Sequence, residues 1–152
     1  MCKKFEDEYM ELQASLISLC LELINNKVDK VDKVDKVYAY ASIEEESRAF
    51  NAFYMVQGEI LTLNQLGINT KTCMQFLKLG TEDLNKIVEL CKKNNQPVPT
   101  EFKMIYDVNS GNYDADYKYN EICSEKTGIC SGDVFDSWLK EKKEEIKEKM
   151  LD

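Results

Sequence analysis

The chain has 152 residues, enough for one domain with a real core, and its hydrophobic fraction of 43% is ordinary for a globular protein. It contains no histidine, which removes the commonest general base and the histidine-dependent nucleophile pairs of hydrolases. Its formal net charge of −8 has the wrong sign for a nucleic-acid-binding protein and argues against nucleic acids and anionic membranes as partners.

The first predicted element is a helix from Lys3 to Ile24. Its apolar residues recur at spacings of three and four, as on the buried face of a surface helix. The apolar stretch from Leu12 to Ile24 contains Glu22 and lacks a cleavage site, so it does not resemble a signal peptide. No apolar run reaches the roughly 18 residues of a membrane span, and we expect a cytoplasmic protein.

A three-residue unit, Val-Asp-Lys, then occurs three times in succession over residues 28–36. A period of three drifts around a helix and alternates between the faces of a strand, so neither structure would keep the valines on one buried side. Each unit carries one acid and one base, whose charges cancel. We interpret residues 27–36 as a connection without a specific binding role, whose last unit continues into the first strand.

Three strands are predicted after the repeat, as an antiparallel meander. Residues 37–42 alternate between small aliphatic side chains and tyrosine or serine, which is typical of a strand. A charged turn follows, and the second strand ends at Val56. Gln57-Gly58 then indicates a tight turn into a third strand at residues 59–63.

Residues 69–94 predict a helical block with a break in the middle. The first helix is expected to end at Gly80, because glycine commonly terminates helices. The second is expected to begin at Thr81 as its N-cap, with two acids in its first turn, and to stop at Asn94.

Residues 102–119 predict a β-hairpin. Apolar or aromatic residues alternate with polar ones on both sides of an Asn-Ser-Gly-Asn turn. One face of the hairpin is therefore expected to be apolar, and the other polar and mostly acidic, with Asp107, Asp114 and Asp116 on it. The segment does not fit a calcium loop, because its glycine comes one position early and Lys118 stands where a bidentate acid is needed.

The last predicted element is an amphipathic helix from Gly132 to Asp152, whose final residues, 144–152, are expected to fray. Trp138, the only tryptophan, is interpreted as the core anchor of this helix. Cys123 and Cys130, ahead of it, are too far apart for a zinc-binding pair and have no histidine to complete a site, so no metal is predicted. Whether these two cysteines form a disulfide is left open.

The predicted order is α-βββ-α-ββ-α, which indicates an α+β fold: one antiparallel sheet, made of the meander and the C-terminal hairpin, with helices packed on it. No change of composition marks a boundary, so residues 1–152 are taken as a single domain. The glycines form no phosphate-binding loop, and nothing singles out one pair among the 28 acids. We therefore predict a non-enzymatic protein without a cofactor.

The order of these elements, and the sequences of several, resemble the YezG-like family of bacterial immunity proteins. The features that match are a Tyr-x-Tyr strand, a hairpin, a helix, an aromatic second hairpin ending in Tyr-Asn-Glu, and a tryptophan-bearing last helix. The segments are VYAYASI (37–43), AFNAFYMVQGEI (49–60), DLNKIVELCKKNNQ (83–96), PVPTEFKMIYDVNSGNYDADYKYNEI (97–122) and FDSWLKEKK (135–143). The chain departs from the family in the Val-Asp-Lys insertion and in the CSEKTGIC loop (123–130).

The resemblance implies an antitoxin that binds a cognate toxin domain, a nuclease, in the producing cell and blocks it. A nuclease site attracts phosphate and is therefore positively charged. Such a site would also attract an acidic inhibitor surface, which would compete with the nucleic acid and speed association of the two proteins. Residues 101–136 hold eight acids and three bases. The candidate partner-binding residues are the acids of the hairpin and its expected neighbours: Asp107, Asp114, Asp116, Glu44, Glu45, Glu46, Asp133 and Asp136.

Two other interpretations stay open on the sequence alone. A tyrosine-rich sheet face with Tyr113, Tyr117 and Tyr119 would suit a small-molecule-binding or enzymatic α+β domain. The chain would otherwise be a purely structural interaction protein, in which the acidic excess serves solubility. No pattern indicates the oligomeric state.

Overall fold

A computed structural model describes residues 4–27, 34–44, 47–120, 122 and 127–151. Within these residues three helices and five strands occur in the predicted order, which confirms the α+β fold. The elements are α1 (Phe5–Lys27), β1 (Val34–Glu44), β2 (Ser47–Val56), β3 (Glu59–Thr62), α2 (Thr70–Lys93), β4 (Glu101–Asp107), β5 (Tyr113–Lys118) and α3 (Ser131–Leu151).

The five strands form one sheet in the order β3-β2-β1-β4-β5, and every pair of neighbours is antiparallel. β1 is the central strand. Its Tyr38 lies opposite Phe53 of β2 on one side and opposite Ile105 of β4 on the other. The meander and the C-terminal hairpin are therefore joined through β1, and β3 and β5 are the two edges.

The side chains of β1 alternate between two buried layers. Val37, Ala39 and Ala41 point to the sheet face on which α1 and α2 pack, which we call the helix-pair face. Tyr38 and Tyr40 point to the opposite face, on which α3 packs, which we call the α3 face. The fold therefore has three layers, with the sheet between the helix pair and α3.

Trp138 anchors α3, as the sequence predicted. Its side chain is 3% exposed. The ring centroid lies 5.1 Å from that of Phe53 and 5.8 Å from that of Tyr38, and both ring pairs meet edge to face. Phe135, one turn earlier in α3, packs on Tyr40.

The predicted break between two helices at Gly80 is wrong, because α2 is one continuous helix from Thr70 to Lys93. Its N-cap is Asn69, whose side chain accepts a hydrogen bond from the Thr72 backbone N–H at 2.8 Å. Thr81 is inside the helix, and its hydroxyl donates to the Leu77 carbonyl at 2.9 Å. Gly80 does not end the helix but provides room for the ring of Phe50.

The last Val-Asp-Lys unit is part of β1, as predicted, since the strand begins at Val34. The pairing of β1 with β2 is irregular between Val34 and Lys36. The two earlier units, residues 28–33, lie outside the described residues. At the other end of the chain α3 is helical as far as Leu151, and so takes in most of the segment expected to fray.

Candidate partner-binding surface

Three of the candidate acids lie on one face of the C-terminal hairpin, as predicted. Asp107 ends β4, and Asp114 and Asp116 belong to β5. The alternation of the strands directs their side chains to the α3 face, opposite the buried Phe102 and Met104. Asp114 and Asp116 are exposed and Asp107 is half-buried. We call these three residues the acidic strip.

Asp107 also has a role in the hairpin turn. Its Oδ1 accepts hydrogen bonds from the backbone N–H groups of Asn109 at 3.0 Å and Ser110 at 3.2 Å. A carboxylate bonded in this way to the following residues forms an Asx turn. Gly111, at φ +78°, completes the reversal. Asp107 therefore holds the turn as well as contributing charge to the strip.

The inner strands carry lysines that face the acids. Lys36 of β1 lies opposite Asp107, and Lys103 of β4 lies opposite Asp116. The Lys103 ammonium lies 5.9 Å from the centroid of the Trp138 ring, within the range of a cation–π contact. Asp114 faces the apolar Ile105. The exposed negative charge is consequently concentrated on the outer strand, β5.

Glu101, which no sequence pattern singles out, is the most deeply buried acid of the hairpin at 1% exposure. Its carboxylate accepts a hydrogen bond from the Tyr40 hydroxyl at 3.2 Å and lies 3.7 Å from the Lys118 ammonium. A buried carboxylate needs such partners to offset its lost hydration. The hairpin register, which sets Glu101 opposite Lys118, was the signal that could have found this pair.

Glu145 of α3 is a further carboxylate on the α3 side of the sheet. Burial, together with the nearby carboxylates of Glu145 and Asp107, raises the pKa of the Tyr38 hydroxyl to about 12. Both acids therefore lie near this hydroxyl. Lys142 forms an ion pair with Glu145 at 3.3 Å. Glu145 was not predicted, since its place near Tyr38 follows only from the packing of α3.

Glu44 lies beyond the Asp116 end of the acidic strip. It ends β1 four residues from Tyr40, whose β4 partner Lys103 lies opposite Asp116, which corresponds to about 13 Å along the strand. Its carboxylate accepts a hydrogen bond from the Ile122 backbone N–H at 3.3 Å. Glu45 and Glu46, predicted as its neighbours on an exposed tip, lie outside the described residues.

Asp133 and Asp136 lie in the first turns of α3, and so on the same side of the sheet as the acidic strip. Asp133 accepts hydrogen bonds from the backbone N–H of Cys130 at 3.2 Å and from its thiol at 3.1 Å. These bonds lower the pKa of the exposed Asp133 carboxyl. Asp133 thus secures the start of the helix, whereas Asp136 is exposed. The Cys130 thiol is free, and Cys123 lies outside the described residues.

The tyrosines of β5 face the helix pair. The hydroxyls of Tyr113 and Tyr117 donate to Oε1 of Gln13, a fully buried residue of α1, at 2.6 and 2.8 Å. Burial raises the pKa of both hydroxyls. Tyr119 lies past the end of β5 and is 52% exposed. The two strand tyrosines therefore belong to the contact between α1 and the sheet.

The described residues include no group of three or more potential metal ligands. In the same part of the chain, no helix has an apolar stretch long enough to cross a membrane. No protein-family model matches the chain, and a search of curated proteins finds no significant match.

Proposed function

We propose that this chain is an immunity protein: a cytoplasmic, non-enzymatic antitoxin that binds a cognate toxin domain and blocks it. The observation that carries the proposal is the acidic strip, whose Asp114 and Asp116 are exposed on the outer strand of the C-terminal hairpin. The resemblance of residues 37–143 to the YezG-like family supports the same function.

The partner that suits this surface is a basic protein domain, and a nuclease is the toxin class that we propose. A nuclease must attract a polyanion, so its active-site surroundings are positively charged. Carboxylates that are fixed on a sheet compete for that surface, and they steer the encounter of the two proteins before close contacts form. Asp107 contributes through its fixed turn, since a rigid charge loses little conformational freedom on binding.

The experiment is co-expression and co-purification with the product of the adjacent upstream gene, followed by a nuclease assay on that product. We expect the two proteins to purify together, and the added chain to abolish cleavage of DNA or RNA. If the chain itself cleaves nucleic acid or turns over a small molecule, the non-enzymatic assignment is wrong. If the upstream product is not bound, the immunity function is wrong.

A matched set of variants tests whether the acidic strip is the binding surface. Glu22, Glu82 and Glu89 are exposed acids of α1 and α2, on the opposite side of the sheet. Their triple change to glutamine removes the same number of charges as Asp107→Asn, Asp114→Asn and Asp116→Asn. We expect only the second set to weaken inhibition. Equal effects of the two sets would show that total charge, and not this surface, governs binding.

A further inference from the structure

Among the described residues, the outer side of β5 is a sheet edge with no neighbouring strand. β5 pairs with β4 alone in the described sheet. Because the Asp107 N–H donates to the Asn112 carbonyl at 2.8 Å, the antiparallel alternation directs the backbone groups of Asp114 and Asp116 inward, towards β4. The same alternation directs the N–H and C=O groups of Tyr113, Ala115 and Tyr117 outward. The edge therefore offers donors and acceptors for one more strand.

An apolar groove runs beside this edge on the helix-pair face. It has a volume of about 410 Å³ and is lined by residues of α1 together with Tyr106 and Tyr113. Met10 and Ala14 are among the α1 residues, and Met10 is 46% exposed. The two tyrosine hydroxyls held by Gln13 fix β5 against α1. The groove and the edge are thus positioned together before any partner arrives.

On the other face of the same edge stand the exposed carboxylates of Asp114 and Asp116. Residues that lie opposite each other in a sheet point to the same face. A strand added to β5 would therefore place every second side chain against the groove beside Met10, and the side chains between them against the two carboxylates. The segment that fits has alternating apolar and basic residues.

We propose that β5 is the docking edge for an extended segment of the partner in which basic and apolar residues alternate, so that the partner adds a sixth strand to the sheet. The identity of the partner as a toxin domain rests on the proposed function, whereas the strand pairing rests on the edge itself. The opposite edge is less suited, because β3 has only four residues and the Thr62 N–H is already bonded to Gln65 Oε1 at 3.0 Å.

The negative charge on β5 also favours a different protein, and not a second copy of this chain, as the partner. If two β5 strands paired with Ala115 opposite its own copy, Asp114 of each copy would face Asp116 of the other on one face of the joined sheet, while Lys118 on that face is already paired with Glu101 of its own chain at 3.7 Å. Like charges that face each other across strands are destabilising. A basic segment in the same place would instead neutralise them.

The test is amide hydrogen exchange by NMR on the full chain, alone and with two probes. One probe is the upstream gene product; the other is a short synthetic peptide of alternating lysine and valine, with an alternating glutamate and valine peptide as its control. We expect new protection at the outward amides of Tyr113, Ala115 and Tyr117. The glutamate peptide should produce none.

Two variants check the edge independently. Ala115→Pro removes an outward N–H, which an edge strand tolerates, and should weaken binding by about tenfold or more while circular dichroism stays unchanged. Met10→Glu places a charge in the groove without touching the strand, and should weaken binding too. Its control is Met74→Glu in α2, at a methionine that is 65% exposed and lies outside the groove.

The results of these experiments distinguish the proposal that β5 is a docking edge from the proposal of an immunity function. If the upstream product binds without protecting the outward amides, and Met10→Glu binds like the native chain, the edge proposal is overturned and the immunity function stands. If the upstream product does not bind at all, the immunity function fails and the lysine peptide alone decides the edge. Pairing of β5 with a second copy in the absence of a probe would overturn the choice of partner.

Discussion

Gly80 of α2 lies so close to the ring of Phe50 in β2 that a β-carbon at position 80 would stand 2.2 Å from Cδ1 of that ring. Alanine in place of a mid-helix glycine normally stabilises a helix by about 0.5–1 kcal/mol. Here the overlap with a buried aromatic ring outweighs that gain, because a packed core resists added volume.

We therefore expect Gly80→Ala to lower the free energy of unfolding by about 1–3 kcal/mol, the usual range for overpacking. Urea unfolding followed by circular dichroism measures it. Gly132→Ala in α3 is the matched control, since a β-carbon there meets only Cys130 Sγ, at 3.8 Å. Combining Gly80→Ala with Phe50→Leu should recover part of the loss. A stabilising Gly80→Ala would contradict the assignment of this contact.

The Val-Asp-Lys repeat should tolerate the loss of one unit. The three units are identical, so deletion of any of them yields the same chain, in which a Val-Asp-Lys still opens β1. The change therefore shortens only the connection after α1. The entropy of a loop depends weakly on its length, and we expect a change in the free energy of unfolding below about 1 kcal/mol. Loss of the cooperative unfolding transition would show that the deleted residues belong to a packed element.

The acidic strip should act mainly on the rate of association. The triple change Asp107→Asn, Asp114→Asn and Asp116→Asn keeps side-chain size and removes three negative charges. We expect a slower on-rate for the upstream gene product at low salt, and a difference from the native chain that shrinks as salt screens the field. Stopped-flow kinetics across a salt series measure both. Identical on-rates at low salt would exclude the strip from the encounter.

Stability should fall in alkaline solution. Burial raises the pKa of the Cys20 thiol from 9.0 to about 12, and it raises the pKa of the Tyr54 hydroxyl as well. Above about pH 9 the unfolded chain releases protons that the folded chain retains, so unfolding becomes more favourable as the pH rises. The contribution of Cys20 is fully present below about 9 and is lost as the pH rises towards about 12.

Urea unfolding at a series of pH values tests this expectation. We expect a constant free energy of unfolding through neutral pH, followed by a decline. Cys20→Ala, although less stable at neutral pH because it leaves a cavity, should lose less between about pH 9 and about pH 12. An equal alkaline decline in both proteins would assign the effect to other groups.

The sequence predicts the fold best in segments where a single periodicity of apolar residues dominates. The C-terminal hairpin could be identified because its residues alternate strictly, so the faces of Asp114 and Asp116 followed at once. The continuity of α2 could not be predicted, because glycine at position 80 is a helix-ending signal and its real role is a contact with Phe50, distant in the chain. The local preference of glycine indicates that a helix ends at this position, and tertiary packing overrides that preference.

In the candidate binding surface, too, the features set by a local pattern could be predicted and those set by tertiary packing could not. The acidic face of the hairpin depends on neighbouring residues and was predicted. The separation of Glu44 from the strip depends on the direction of β1 through the sheet, and the nearness of Glu145 depends on where α3 crosses it. Neither is encoded in a local pattern. The burial of Glu101 was missed because the hydroxyl that satisfies it comes from Tyr40, on another strand.

The central position of β1 has a consequence for how the chain folds. Its pairing with β2 is local, whereas its pairing with β4 joins residues roughly 60 to 70 positions apart, with all of α2 between them. The meander can therefore form before β4 arrives, and until then the strand that will become the middle of the sheet is an edge. Residues 37–43 of that strand are all buried in the finished fold, which is the longest buried run of any described strand. We expect the newly made chain to be most prone to aggregate after the meander has formed and before β4 pairs with β1. Pairing of the C-terminal hairpin with β1 then covers this edge.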